Sequence, residues 1–173
     1  EEEIHYGRLA RDGDAFGREF ARTGATLGMK LVLADIQADA LEQTRNEMEA
    51  QGAEVVARVV DVSDGAGIEA LAAETMAAFG GVHLLFNNAG IGTGGQLIDM
   101  PPEEADRLIA INFGGVVNGI YSALPLLRAT PESTILNTGS ASGFYGVAGL
   151  AVYSATKFAV RGLTEALEIE FAK

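Results

Sequence analysis

Leu31-Val32-Leu33-Ala34-Asp35 decides the fold of this 173-residue chain. Four apolar residues stand together shortly after Gly28 and stop at an acid, with no polar residue alternating among them. A continuous run of this kind reads as a strand covered on both faces, the situation of a parallel strand between two layers of helices. Three more segments have the same character: Val55 to Val62, Val82-His83-Leu84-Leu85-Phe86, and Ser133 to Thr138. The intervals carry helical spacing instead. Ile68, Leu71, Ala72, Thr75, Met76 and Phe79 form one stripe, and Leu41, Thr44 and Met48 form another on a helix that Gly52 would end. Pro101-Pro102-Glu103-Glu104 opens a long helix expected to reach about Leu127, because proline and acids suit a first turn. A last helix starts near Val152, with Phe158, Leu163, Leu167 and Phe171 on one side. The alternation predicts an α/β fold in three layers: a doubly wound parallel sheet, helices on both faces, one domain over residues 1–173, incomplete at both ends.

The opening segment breaks the pattern. Glu3-Ile4-His5-Tyr6-Gly7-Arg8-Leu9 occupies the place of a first strand, yet a central strand would bury its Glu, His and Arg. Burying an unpaired polar group costs about 1–3 kcal/mol, and a charge costs more. Either the segment stays outside the sheet or the sheet has a weak centre.

Composition narrows the function. Asp plus Glu number 24 against 12 Lys plus Arg, giving a formal net charge of −12. Such a surface repels nucleic-acid phosphates and anionic lipid, so neither is an expected partner. Cysteine is absent, and His5 and His83 stand without a second histidine at helical spacing, so no metal site is expected. Glu1-Glu2-Glu3 is acidic where a secretory signal is basic, and no apolar run is expected to approach the roughly 18 residues a membrane span needs. The expected setting is the cytoplasm. Without an initiating Met, and with Thr164 to Lys173 reading as a helix in mid-course, the chain is expected to be a fragment.

The chemistry gathers around Tyr153-Ser154-Ala155-Thr156-Lys157. Tyr and Lys four apart share a helix face. A free phenol titrates near 10 and is a poor base at neutral pH unless an adjacent ammonium stabilises the phenolate. Lys157 can supply that charge, giving a general acid or base. Ser140 follows directly on a strand, at the carboxyl edge where open α/β sheets place their sites, and can hydrogen-bond a substrate oxygen. Asn112, an amide among Ala110, Ile111 and Phe113, suggests a buried polar duty such as holding a water beside Lys157. Asp35 ends its strand 18 residues after Gly17, near the spacing at which a carboxylate accepts hydrogen bonds from an adenosine ribose. A 2′-phosphate would be repelled there, which favours NAD over NADP. Each feature has a plainer reading when taken alone: Tyr-x-x-x-Lys as a solvated helix pair, Ser140 as a turn residue, Asp35 as a strand end, Asp61 as a cap, and Asn87-Asn88-Ala89-Gly90 as a turn.

Together these residues resemble the short-chain dehydrogenase/reductase family over about Phe16 to Lys173. The resemblance implies a Rossmann-like fold and a hydride-transferring oxidoreductase acting on an alcohol or ketone. It implies an Asn112, Ser140, Tyr153, Lys157 tetrad, with Tyr153 exchanging the proton and Asn112 supporting a water relay. Cofactor contacts are implied at Phe16, Gly17, Asp35, Ile36, Asp61, Val62, Asn88, Ala89, Gly90, Tyr153 and Lys157, with Asp61 and Val62 at the adenine. Pairing of the long and final helices between copies implies a homo-oligomer. One motif departs: where the family has Thr-Gly-x-x-x-Gly-x-Gly, Ala10 to Gly17 keeps only the last glycine and adds Asp12 and Asp14. Negative charge there opposes a pyrophosphate. This suggests a frameshifted or misassembled start, and it keeps open a second reading, a non-catalytic scaffold or interaction module.

Overall fold

The computed structural model describes residues 15–171, so the expectations placed on Glu3 to Leu9 and on Ala10 to Asp14 lie outside the described residues. Helix α1 (Ala15–Thr26) leads into strand β1 (Leu31–Asp35), helix α2 (Ala38–Ala50) and strand β2 (Val55–Val59). Helix α3 (Gly65–Phe79) and strand β3 (Leu84–Asn87) follow, then α4 (Pro102–Ile109) and α5 (Gly115–Ala129), which run on through one π turn at Ala110–Gly114. Strand β4 (Thr134–Asn137) and helix α6 (Ala151–Phe171) complete the order. The alternation of strand and helix is the expected α/β arrangement.

The described strands form two two-stranded parallel sheets: β1 on β2, with Leu31 opposite Val55, and β3 on β4, with Leu84 opposite Thr134. Each pair has its own core. Ala21, Ala25, Leu31 and Met48 bury together beneath α1 and α2, while Val116, Ile120 and Val160 bury together where α5 and α6 cover β3 and β4. Leu85 and Ile135 from the strands and Leu163 and Leu167 from α6 close the second core. At roughly 25 cal/mol per Å² of apolar surface removed from water, these contacts are the main adhesive of each half.

Helix α5 can lie close against its neighbours because Gly115 and Gly119 have no side chain. A Cβ on Gly115 would stand 2.6 Å from Val62 Cγ2, and one on Gly119 would collide with Asn87 Oδ1. The π turn before it is closed by the Gly115 N–H donating to the Ala110 carbonyl. Inserting one residue into the helical ladder in this way turns Asn112 into the interior, where it is 1% exposed.

Several expected stripes shift. On α6 the inward residues are Val160, Leu163 and Leu167, whereas Phe158 and Phe171 remain exposed. On α3, Ile68 and Thr75 are buried while Met76 is exposed, and Tyr121 on α5 faces outward. The long helix was expected to hold no span-length apolar run, but Pro102–Ala129 is long and apolar enough to cross a membrane by length and composition. Here Leu108, Val116, Ile120, Ala123 and Leu127 along it are buried within the protein, as befits a core helix.

Candidate active site

The ends of β3 and β4 are tied by amides. Asn87 Nδ2 donates to Asn137 Oδ1 at 2.9 Å, and Asn137 Nδ2 donates to Thr164 Oγ1 at 3.0 Å, joining both strands to α6. One residue on, Thr138 Oγ1 donates to Asn88 Oδ1 at 2.8 Å. Sequence reading singled out Asn88 but not Thr138, Asn137 or Thr164. The available signal was that two apolar runs destined to pair both end in amides.

Thr138 does more. Its carbonyl accepts from Lys157 Nζ at 2.9 Å, so the lysine reaches back from α6 to the strand end. Lys157 is buried, and desolvation holds its pKa below the ordinary lysine value. Tyr153, one turn earlier and half-buried, puts its ring centroid 5.8 Å from the same Nζ. The two side chains therefore share a face, with the ammonium over the ring and hydrogen-bonded to Thr138. Ser140 is extended, and its Oγ accepts from the Ser142 N–H at 3.2 Å, capping a short 3-10 turn at Ala141–Gly143.

Asn112 turns its amide onto the Ile91 backbone. Its Oδ1 accepts from the Ile91 N–H and its Nδ2 donates to the Ile91 carbonyl, both at 2.8 Å, with Thr156 Oγ1 at 3.5 Å. The amide thus clamps the backbone just after Asn88-Ala89-Gly90. Gly90 must be small for this clamp, since a Cβ there would stand 3.3 Å from Asn112 Oδ1. Beyond it, the Gly95 N–H donates to the Gly149 carbonyl at 2.9 Å, joining the loop after β3 to the loop before α6.

On the other pair of strands, Asp35 Oδ1 accepts from the Gln37 N–H at 2.8 Å, and Oδ2 has no partner among the described residues. Asp61 Oδ1 accepts from both the N–H and the hydroxyl of Ser63, at 2.9 and 2.7 Å, and these bonds hold its carboxyl below the usual range. It therefore fixes the turn into α3. Gly17, Asp35, Val62, Asn88 and Ala89 all line one cavity of about 820 Å³, whereas Phe16, Ile36, Asp61, Gly90, Tyr153 and Lys157 lie outside its lining. Phe16 instead meets Phe86 edge to face, with centroids 6.0 Å apart. Among the described residues, no three His, Asp or Glu side chains stand close enough to hold a metal.

Comparison with known proteins gives the same architecture a lineage. Residues 12–173 match the family model described as short chain dehydrogenase. The putative oxidoreductase SadH of Mycobacterium tuberculosis is 38% identical over 158 residues, which cover 91% of this chain and 57% of that protein. Levodione reductase of Leifsonia aquatica is 34% identical over 164 residues, 93% of this chain and 61% of the relative. A crystal structure of a short chain dehydrogenase/reductase from Burkholderia phymatum in complex with NAD superposes with a TM-score of 0.88 at 43% identity, covering 91% of this chain and 56% of that one. An alcohol dehydrogenase from the archaeon Thermococcus sibiricus, complexed with 5-hydroxy-NADP, gives 0.82 at 30% identity, covering 91% and 66%. The chain thus spans rather more than half the length of the relatives it matches.

Proposed function

Because this chain belongs to the short chain dehydrogenases, we propose that its groove binds a nicotinamide dinucleotide and exchanges hydride with an alcohol or ketone, Tyr153 handling the proton. The observation that carries this reading is Lys157. A buried ammonium, fixed by the Thr138 carbonyl, stands 5.8 Å from the Tyr153 ring centroid, so the lysine and the tyrosine this reading pairs lie side by side on α6. Reduction needs that proton delivered to the carbonyl oxygen as hydride reaches the carbon, and oxidation runs the same transfer backwards. The nicotinamide, when bound, supplies or takes the hydride. Ser140 orients the substrate oxygen, and Asn112 positions the loop beneath it through Ile91.

The residues present suit a dinucleotide. Asp35 keeps one carboxylate oxygen without a partner among the described residues, at the end of a strand lining the large cavity, where a ribose diol would donate. Asn88, Ala89 and Gly90 offer a close backbone approach, guarded by the Asn112 clamp. Gly17 and Phe16 lie in the first turn of α1, Ile36 and Val62 flank the adenosine side with Asp61, and Lys157 would reach the nicotinamide ribose. The Asp35 carboxylate repels a 2′-phosphate, which makes NAD the cofactor of this reading. Self-association belongs to the same proposal. Leu97, Ile109, Phe113, Val152 and Ala155 line an apolar groove of about 390 Å³ on the α4 and α6 side.

The test is Tyr153→Phe assayed with NADH and a panel of ketones. The ring and its packing remain while the proton donor is lost, so turnover should vanish with cofactor affinity unchanged. Turnover retained in that variant removes Tyr153 from the proton-transfer role.

A further inference from the structure

Helix α5 sets one face against the main chain of loops from both pairs of strands. Gly115 lies against Val62, Asn118 Nδ2 donates to the Val62 carbonyl at 2.9 Å, and Gly119 lies against Asn87. Val62 stands just past β2 and Asn87 ends β3, so this face grips the loop of one half from the other. The rest of that loop is held from its own side. The Val60 N–H donates to the Asp35 carbonyl, the Asp61 carboxylate takes Ser63, and Asp64 Oδ1 accepts from the Ala66 N–H at 3.1 Å. Among the described residues, Asn118 is the one side chain of α5 that hydrogen-bonds this loop. Its Oδ1 stands over Gly65, the first residue of α3, where an added Cβ would lie 3.4 Å away. Asparagine is a weaker helix former than alanine or leucine by roughly 0.5 kcal/mol, so helix packing alone does not call for it at this half-buried position. Val62, Gly115 and Gly119 line the large cavity, and Asn118 does not.

We propose that Asn118 is a positioning residue for the nucleobase end of the cofactor, acting through the Val62 carbonyl; the inference rests on the dinucleotide reading, in which Val62 flanks the adenosine. Asn118 stays outside the cavity lining, so it does not read the base itself. It fixes the Val62 peptide, and with it the height of the wall that a flat base must meet. Non-bonded carbons attract best at about 3.5–4.0 Å, and a gap of about 0.5–1 Å forfeits a quarter to a half of each contact. Without the amide, the Val62 carbonyl turns toward water, and the peptide that carries the wall turns with it. Summed over a purine ring, such losses reach about tenfold in affinity, equivalent to about 1.4 kcal/mol. Asn112, six residues earlier, holds the Ile91 backbone. The two amides thus set two loops from one continuous helical stretch, one beside the proposed substrate and one beside the base.

The experiment uses the full chain, follows bound NADH by its nicotinamide fluorescence, and displaces it with AMP or with nicotinamide mononucleotide, which carries the other base on the same ribose phosphate. Asn118→Leu keeps the volume of the side chain and removes the donor. Its inhibition constant for AMP should rise about tenfold, while that for nicotinamide mononucleotide stays within about twofold of wild type. Asn118→Ser, with a shorter donor, should fall between the two, and it decides the question if the leucine chain does not fold. Thr130→Val, which loses the side-chain bonds to Leu126 and Val82 at the far end of α5, should leave both constants at their wild-type values. An unchanged AMP constant in the Asn118 variants, or both constants raised together, overturns the proposal while wild-type NADH binding leaves the dinucleotide reading standing. A wild type that binds no NADH overturns that reading, and the proposal with it.

Discussion

Replacing Asn112 by leucine keeps the volume of the side chain and removes its hydrogen bonding, which isolates what the clamp on Ile91 contributes. The amide makes two bonds of 2.8 Å to the Ile91 backbone, and its 3.5 Å contact with Thr156 Oγ1 is too long to add much. Each intramolecular bond is worth about 1 kcal/mol net, and a backbone group left without a partner costs about 1–3 kcal/mol. Ile91 is only half-buried, so water recovers part of the loss and the lower end applies. The expected destabilisation is therefore about 2–4 kcal/mol, or about 4–16 °C in Tm for a chain of this size. Urea unfolding followed by far-UV circular dichroism measures it directly, with Tyr121→Ser, at an exposed position on α5, as a control expected to stay within about 0.5 kcal/mol. Asn112→Asp should do no better than leucine, because its carboxylate would face the Ile91 carbonyl where the amide donated. A loss below about 0.5 kcal/mol in Asn112→Leu would refute the clamp.

Lys157 gives a pH prediction with a definite sign. Burial lowers its pKa in the folded state, so the unfolded chain binds more protons between that lowered value and about 10.4, and stability from this group rises with pH across the window. The stability of the wild type relative to Lys157→Met should increase between about pH 7 and about pH 10, by at most about 1.4 kcal/mol per pH unit, and a difference that stays flat would contradict the burial account. For self-association, Ala155→Arg places a charge in the apolar groove shared by α4 and α6. Sedimentation velocity should show an oligomer in the wild type and a monomer in the variant, and a monomeric wild type would refute this interface.

The strands and helices were legible because both-face burial leaves a continuous apolar run and one-face burial leaves a stripe. Leu31–Asp35, Gly65–Phe79 and the start of the long helix at Pro102 emerged nearly as read. Exposure on α6 was not legible, since Phe158 and Val160 look equally apolar in a sequence and only the helix rotation against β3 and β4 decides which is buried. The π turn at Ala110–Gly114 left no signature of its own, as its effect is to rotate a polar residue inward from an otherwise helical stretch. In the candidate site, Tyr153, Lys157, Asn112 and Ser140 could be picked out by residue type and spacing. Their partners could not: Thr138 holds Lys157 and Ile91 is held by Asn112 through main-chain atoms, which every residue possesses. Asp61 shows the converse, a residue read for cofactor contact whose visible work is to fix a turn through Ser63.

The most direct measurement is a titration of the chain with NADH, following nicotinamide fluorescence. A dinucleotide site running from Asp35 and Asn88 toward Lys157 predicts a saturable rise that NAD competes away and that Asp35→Arg shifts toward NADPH. No saturable change at millimolar NADH would contradict the claim that these residues form a dinucleotide site.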